Sequence, residues 1–218
     1  MPVQSRVLLS SDEPLTYLAK RDKTLAALIE RLGCLKIGGV RSPSEHMITT
    51  IVGQMLSTKA GDAIIARMED VCGGRLTARR VAAVSAESLR ACGLSRRKAD
   101  CIADFARFVL DNPQFLRDLE KLDDDAAMAA LTARPGIGPW SAKMHLIFVL
   151  GRENLIPFED GVFVRAYRAF YGGELTKDAI RQIARRWSPY ASYASRVLYR
   201  AFAAGLAGVS AAEKTKST

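Results

Sequence analysis

The segment ARPGIGPWSAK, residues 133–143, places two glycines and two prolines within five residues. Glycine adopts backbone conformations that other residues avoid, and proline presets φ and lacks an N–H group. A turn of this kind that leads straight into a helix leaves backbone N–H groups pointing outward at the helix N-terminus. Such a site binds anions, phosphate in particular. The alternative is a tight connector between two helices that binds nothing.

The net charge of the chain is +9 at pH 7. Its basic residues also cluster, one group being Arg96, Arg97 and Lys98, and the other Arg165, Arg168, Arg181, Arg185 and Arg186. This pattern favours a partner that carries negative charge, either a nucleic acid or an anionic membrane surface. The alternative is a basic face that is merely solvated.

The four cysteines form no CxxC pair and are accompanied by only two histidines, so no metal site is expected. The longest apolar runs, such as residues 146–150, are too short to cross a bilayer. The first residues, MPVQSRVLLSSDEP, lack the apolar segment of a secretory signal. We therefore expect a soluble, cytoplasmic protein with no membrane partner.

The sequence predicts helices on both sides of the hairpin. One helix is predicted to end near Ala133, and the next to begin at Pro139 and to run to Leu150, with a turn at 134–138 between them. Ser95 is a candidate N-cap for another helix. No strand pair is evident, so the predicted class is all-α.

Four ordered motifs between about residues 44 and 200 resemble those of the helix-hairpin-helix (HhH-GPD) DNA glycosylase superfamily. The segment LTARPGIGPWSAK is similar to its hairpin, and NLIPFEDGVFVRAY supplies an aspartate, Asp160, twenty residues after Trp140. The hairpin and this aspartate loop form one motif, and the other three are MITTIVGQMLSTKAGDAI, CGLSRRKADCI and RRWSPYASYA. The subgroup that the chain most resembles is 3-methyladenine DNA glycosylase II.

This resemblance implies a two-lobed helical fold with the active site in a cleft between the lobes. The predicted parts are N-terminal helices over 1–44, a helical bundle with the hairpin over 45–155, and a C-terminal lobe over 156–210. The N-terminal helices are expected to pack with the C-terminal lobe. Residues 211–218 are expected to be a frayed tail.

The implied reaction is hydrolysis of the N-glycosidic bond of an alkylated purine such as 3-methyladenine, in base excision repair. Asp160 matches the catalytic carboxylate, which would stabilise the oxocarbenium-like transition state and orient water. Taken alone, an aspartate before GVFVRAYRAFYG is an ordinary helix N-cap. Trp140 occupies the position where bifunctional relatives carry a lysine nucleophile, so a monofunctional enzyme without lyase activity is expected.

The resemblance also implies roles in DNA recognition. Trp140, Tyr199 and Met144 match base-pocket positions, although Met144 stands where some members have tyrosine. Candidates for the wedge that fills the gap left by the flipped base are Gln54, Met55 and Leu94, and Gln54 and Met55 could equally be buried helix residues. The predicted phosphate contacts are Arg134, Gly136, Gly138, Ser57 and Lys98.

The implied partner is double-stranded DNA containing alkylated bases, bound by a monomer. No cofactor is expected beyond a monovalent cation held by hairpin carbonyls, as in relatives. Two alternatives stay open at this point. One is a glycosylase for deaminated or mispaired bases, and the other is a DNA-binding protein of this fold that has lost catalysis.

Overall fold

Helices account for most of the chain in the computed structural model, which describes residues 5–40, 42–173 and 175–208. The predicted tail at 211–218 lies outside these residues. The α-helices are α1 (Glu13–Arg21), α2 (Lys23–Leu32), α3 (Pro43–Gly53), α4 (Thr58–Val71), α5 (Ala78–Ala82), α6 (Ala86–Ala91), α7 (Arg96–Asp111), α8 (Phe115–Asp118), α9 (Asp124–Thr132), α10 (Pro139–Phe148), α11 (Gly161–Tyr171), α12 (Lys177–Ala184) and α13 (Ala191–Ala203). Short 3₁₀ helices occupy Leu119–Lys121, Arg185–Trp187 and Leu206–Gly208.

Two short strands accompany the helices of this all-α fold. Strand β1 (Arg6–Leu9) pairs antiparallel with β2 (Cys34–Ile37), with Arg6 opposite Ile37 and Leu9 opposite Cys34. Leu8, Leu35 and Ile37 are buried. The expectation of no strand pair is therefore wrong, although the mostly helical prediction is confirmed. Each strand has only four residues, too few for a visible alternation of polar and apolar positions.

Two compact units divide the chain. Unit 1 contains Gly38–Gly151, and unit 2 combines Ser5–Ile37 with the described residues from Arg152 onward. The boundaries differ from the predicted ones at 44/45 and 155/156. Unit 2 extends to Ile37 because β2 is paired with β1, and unit 1 begins with the next residue, Gly38.

Unit 1 is a bundle formed by α3–α10. Its buried side chains include Met47, Ile48, Ile51, Met68 and Ile102. Helix α3 packs against α4, α7 and α10, and α10 also packs against α9. These contacts fix the end of α3, the start of α7 and the turn between α9 and α10 within one unit.

Unit 2 has its own core, in which α13 packs against α2 and α11. Phe163, Tyr167 and Trp187 are among its fully buried side chains. At the centre lies Asp22, which is 2% exposed. Its Oδ2 accepts hydrogen bonds from the Trp187 indole and the Tyr171 phenol, both at 2.9 Å. The same side chain caps α2 through the N–H of Leu25, so one carboxylate holds three segments of unit 2 together.

Candidate active site

The hairpin of unit 1 is built as the glycine and proline pattern predicts. Helix α9 ends at Thr132 and α10 begins at Pro139. The Ile137 N–H donates to the Arg134 carbonyl at 3.1 Å and closes the turn. Gly136 has a φ of 79°, which favours glycine, whereas Gly138 has an ordinary φ of −91°. The space beside Gly138 is open, because a Cβ built there would meet nothing within 4 Å.

The N-terminus of α10 is arranged to receive an anion. Gly138 is its N-cap and has no side chain with which to cap it, and Pro139 brings no N–H group. The helix dipole places partial positive charge at this end. A phosphate oxygen that approached over Gly138 would meet little steric hindrance and a favourable field.

Arg134 departs from its predicted part in phosphate binding. Its backbone N–H, the group expected to hold the phosphate, donates to the Leu131 carbonyl at 3.0 Å within the turn. Its guanidinium lies over the Phe108 ring, with Cζ 4.5 Å from the ring centroid. This cation–π contact fixes the side chain on α7, so Arg134 supports the hairpin from within unit 1.

The loop after α3 separates its two predicted wedge residues. Gln54 is turned into unit 1, where its Nε2 donates to the Gly136 carbonyl at 2.8 Å and to the Ser141 Oγ at 2.9 Å. Met55 follows at a φ of 56° and is fully exposed, with 102% relative accessibility. Gln54 thus joins α3 to the hairpin, and Met55 is the residue that projects.

The third wedge candidate, Leu94, is 7% exposed. Its side chain is part of the unit 1 core, so it has no free apolar surface to insert between bases. Burial speaks against Leu94 as a wedge residue, and its role stays a prediction. The preceding Gly93, with a φ of 103°, marks the turn between α6 and α7.

Lys98 and Ser57, two predicted phosphate contacts, have different surroundings. The Lys98 Nζ donates to the carbonyls of Val52 at 2.8 Å and of Gln54 at 2.6 Å, and burial lowers the pKa of its ammonium group. Its hydrogen bonds are thus directed at the end of α3, and phosphate binding by Lys98 stays a prediction. Ser57 is exposed and caps α4, accepting the Ala60 N–H at 3.3 Å.

A concavity of about 600 Å³ lies among the end of α3, the start of α7 and the hairpin. Gln54, Arg97, Lys98 and Gly136 contribute to its lining. Three separately predicted motifs, GQM, GLSRRK and PGIG, therefore meet at one surface of unit 1.

Asp160 in unit 2 is both a helix cap and a buried carboxylate. It is the N-cap of α11, and its Oδ1 accepts the Phe163 N–H at 2.7 Å. Only 7% of the residue is exposed. The two readings of the sequence are compatible here, because the hydrogen bond to Phe163 occupies one carboxylate oxygen and holds the group in a fixed orientation.

Tyr199 on α13 lies beside this carboxylate. Burial, and after it the negative charge of Asp160, raises the pKa of the Tyr199 phenol above its ordinary value, so the phenol stays protonated at neutral pH. The ring also packs edge-on against Phe163, with the centroids 6.3 Å apart. Unit 2 therefore brings Asp160 and Tyr199 together, as a shared site requires.

The two other predicted pocket residues lie on α10 in unit 1. Trp140 is half-buried in the first turn, and Met144, one turn later, is 7% exposed. Residues four apart lie on the same helix face. These two side chains can therefore contribute to one surface.

Two residues near these sites gave no signal in the sequence. Arg196, on α13, lies near Tyr193 and Tyr199, and burial lowers the pKa of its guanidinium to about 10. His145 on α10 is completely buried, with its ring centroid 5.7 Å from that of His46. Their depth depends on tertiary packing, which composition and spacing do not report.

Within the described ranges, no three His, Cys, Asp or Glu side chains are grouped so that they could hold a metal ion. The helices described there include none with the length and apolar character needed to cross a membrane.

Comparison with known proteins decides the family. The model of the HhH-GPD superfamily base excision DNA repair protein matches residues 48–189. The chain belongs to this superfamily. The matched region contains the GQM loop, the hairpin, Asp160 and Trp187, so the HhH-GPD assignment includes nearly all of the candidate residues.

Relatives of known structure agree with this assignment. A DNA-3-methyladenine glycosidase from Bacillus halodurans is 30% identical with a TM-score of 0.76, over 91% of this chain and 94% of its own. A Schizosaccharomyces pombe 3-methyladenine DNA glycosylase, solved in complex with abasic DNA, is 25% identical with a TM-score of 0.77, over 87% and 96%.

Among named HhH-GPD relatives, DNA-3-methyladenine glycosylase 1 of S. pombe is 30% identical over 131 residues. The alignment covers 59% of this chain and 58% of that relative. The chain thus spans a little over half the length of that protein.

Proposed function

We propose that this protein is a DNA glycosylase that excises alkylated purines such as 3-methyladenine by hydrolysing their N-glycosidic bond. The observation that carries the proposal is the buried Asp160 carboxylate at the start of α11, at the family position of the catalytic aspartate. The names of the similar proteins support the choice of substrate class.

Asp160 supplies the charge that the reaction needs. As the glycosidic bond breaks, positive charge develops on the sugar, and a fixed carboxylate stabilises it more strongly in a site withdrawn from water. The Phe163 N–H holds one carboxylate oxygen. In this proposal the fixed carboxylate stabilises the charge on the sugar and orients the attacking water.

The leaving base needs little further help. A purine alkylated at a ring nitrogen is cationic and departs as a neutral molecule, so no protonated general acid is required. Trp140 occupies the position at which bifunctional relatives have a lysine, and Lys143 lies nearly one turn further along α10. We therefore propose a monofunctional enzyme that forms no Schiff base.

Aromatic and apolar side chains recognise the base. The face of Trp140 attracts a cationic purine, an interaction of about 0.5–2 kcal/mol depending on desolvation. Tyr199 and Met144 are the other proposed base contacts. The protonated phenol of Tyr199 also offers Asp160 a neutral neighbour that does not oppose its charge.

DNA is engaged through backbone groups and one exposed side chain. The N-termini of α10 at Gly138 and of α4 at Ser57 are proposed to bind phosphates. Met55, exposed and next to Gln54, is proposed to fill the space that the flipped base leaves. A monovalent cation at the hairpin also remains a proposal. The Gly136 carbonyl already accepts a hydrogen bond from Gln54.

The test is base release from alkylated duplex DNA, resolved by chromatography, with the wild type, Asp160→Asn and Glu159→Gln. Glu159 is the adjacent carboxylate and forms a 3.8 Å ion pair with Lys177, so its variant is a matched control. Release by the wild type and Glu159→Gln, but not by Asp160→Asn, supports the proposal. Release by all three would leave Asp160 as a helix cap only. Binding without release by any of them would favour a non-catalytic DNA-binding protein or another lesion.

A further inference from the structure

Lys98 joins α7 to the end of α3. Its Nζ donates to the carbonyl oxygens of Val52 and Gln54, at 2.8 and 2.6 Å. The last carbonyls of a helix have no partner within it and require one from elsewhere. The half-buried ammonium group of Lys98 supplies that partner, and two of its three N–H donors are thereby directed into the protein.

The residue after Gln54 needs such support. Met55 is the non-glycine residue with a positive φ in the described part of the chain, and its side chain is fully exposed. A left-handed conformation is unfavourable for a residue with a Cβ. No packing of the Met55 side chain offsets this cost, so the hydrogen bonds on either side of it must.

Those hydrogen bonds form a continuous network around the loop. The Gln54 side chain donates hydrogen bonds to the Gly136 carbonyl and the Ser141 Oγ, and the Gln54 carbonyl accepts one from the Lys98 Nζ. On the far side, the Leu56 N–H donates to the Gly53 carbonyl at 3.1 Å. The backbone of Met55 is therefore held from α7 and from the hairpin at once.

We propose that Lys98 is a positioning residue that holds Met55 in the conformation in which it enters the DNA duplex. The inference rests on the proposed function and deepens it. It also separates Lys98 from its neighbour Arg97, which is exposed at the same concavity. Lys98 acts through Gln54 and Met55, and Arg97 supplies the comparison for charge alone.

The test follows unstacking of the DNA apart from chemistry. A duplex with 2-aminopurine beside an alkylated base reports insertion by a rise in fluorescence, measured here in the Asp160→Asn background. We compare Lys98→Met, Lys98→Arg, Met55→Ala, the double variant Lys98→Met/Met55→Ala, and Arg97→Met as the matched loss of one charge.

Lys98→Met and Met55→Ala are each expected to reduce the rate of unstacking about tenfold, the first because charge-assisted hydrogen bonds are lost and the second because the inserting side chain is lost. The double variant is expected to be no slower than Met55→Ala, because Lys98 acts only through Met55. Lys98→Arg keeps the donors and is expected to retain most of the parent's rate of unstacking. Arg97→Met is expected to leave that rate unchanged. Additive losses in the double variant would overturn the proposal.

The salt dependence of DNA affinity separates positioning from phosphate binding. Each phosphate contact contributes about 0.9 to the slope of log K against log salt concentration. Lys98→Met is expected to leave the slope of its parent unchanged, and a decrease of about 0.9 would overturn the proposal. If thermal melting shows that Lys98→Met is unfolded, Lys98→Gln, which keeps a donor but no charge, takes its place.

The same experiments distinguish this inference from the function on which it rests. If the protein with Asp160 intact releases no alkylated base, the proposed function fails. Fluorescence that depends on Met55 but not on Lys98 contradicts the positioning role alone.

Discussion

Gly136 of the hairpin lies directly against Cys101 of α7: a Cβ built on Gly136 would be 2.6 Å from the Cys101 Cβ and Sγ atoms. Real Cβ atoms do not approach so closely. The hairpin therefore contacts α7 at a position where only glycine, which has no side chain, fits. The φ of 79° at Gly136 also favours glycine.

Gly136→Ala is expected to lower the free energy of unfolding by about 2–4 kcal/mol, the combined cost of overpacking and of a left-handed alanine. Urea unfolding measures this loss. Gly138→Ala is the matched control, with an expected change within about 0.5 kcal/mol, because its φ is ordinary and the space beside it is open.

The open space at Gly138 has a consequence for DNA binding. A methyl group at this position would occupy the approach to the N-terminus of α10. Gly138→Ala is expected to keep its stability and to bind duplex DNA several-fold more weakly, as a titration at fixed salt concentration would show. Unchanged affinity would mean that the phosphate lies elsewhere.

Capping and catalysis by Asp160 can be separated by two substitutions. Asparagine is as good an N-cap as aspartate, whereas alanine at this position costs about 1 kcal/mol. Asp160→Asn is expected to keep the stability of the wild type, and Asp160→Ala to lose about 1 kcal/mol. Both are expected to reduce base release at least 100-fold. If Asp160→Asn kept its activity and only the less stable Asp160→Ala lost it, a catalytic role for Asp160 would be contradicted.

His145 makes unit 1 sensitive to acid. Burial, together with the charge of His46, lowers the pKa of His145 to about 3 from its ordinary 6.5. The unfolded chain therefore binds a proton between pH 6.5 and 3 that the folded chain does not, and stability falls as the pH is lowered through this range. The expected loss from His145 is about 2 kcal/mol between pH 6.5 and 4.5.

The difference between the wild type and His145→Leu isolates this contribution. Neither ring nitrogen of His145 has a hydrogen-bond partner in the described part of the chain, so leucine removes the titration without removing such a bond. Unfolding in urea at pH 7.5 and 4.5 should show a smaller acid loss in His145→Leu. Parallel curves for the two proteins would show that His145 is accessible to protons when folded.

Borohydride trapping tests the proposed monofunctional chemistry. An amine nucleophile would form a Schiff base with the sugar, and reduction would convert it into a covalent complex of protein and DNA. We expect base release with no trapped complex. A trapped complex that disappears in Lys143→Ala would instead identify Lys143 as a nucleophile.

Local signals in the sequence predicted local structure well. Pro139 begins α10 as expected, and Ser95 caps α7 by accepting the Lys98 N–H at 3.3 Å. These features depend on residues within a few positions of each other, so the order of residue types is enough to reveal them.

Features that depend on distant residues were missed. The pairing of β1 with β2 joins Leu8 to Leu35 across two helices. The hydrogen bond from Gln54 to the Gly136 carbonyl joins residues 82 positions apart. The sequence shows that Lys98 and Leu94 are basic and apolar, but not that one is turned towards carbonyls and the other into the core. Those directions follow from how the helices pack.

The division of unit 2 along the chain has a consequence for how the protein is made. Gly38–Gly151, which contains every described element of unit 1, lies between the two segments that form unit 2. Once Gly151 has left the ribosome, every described element of unit 1, from α3 to α10, has been synthesised. At that point β1, α1, α2 and β2 still lack α11–α13, against which they pack. Three leucines of unit 2 are fully buried in the folded protein, namely Leu15, Leu18 and Leu25. In the nascent chain they stay without their full core until α11–α13 have been synthesised. The unit that contains Asp160 is therefore the last to be completed, after the hairpin and the Met55 loop can already have formed.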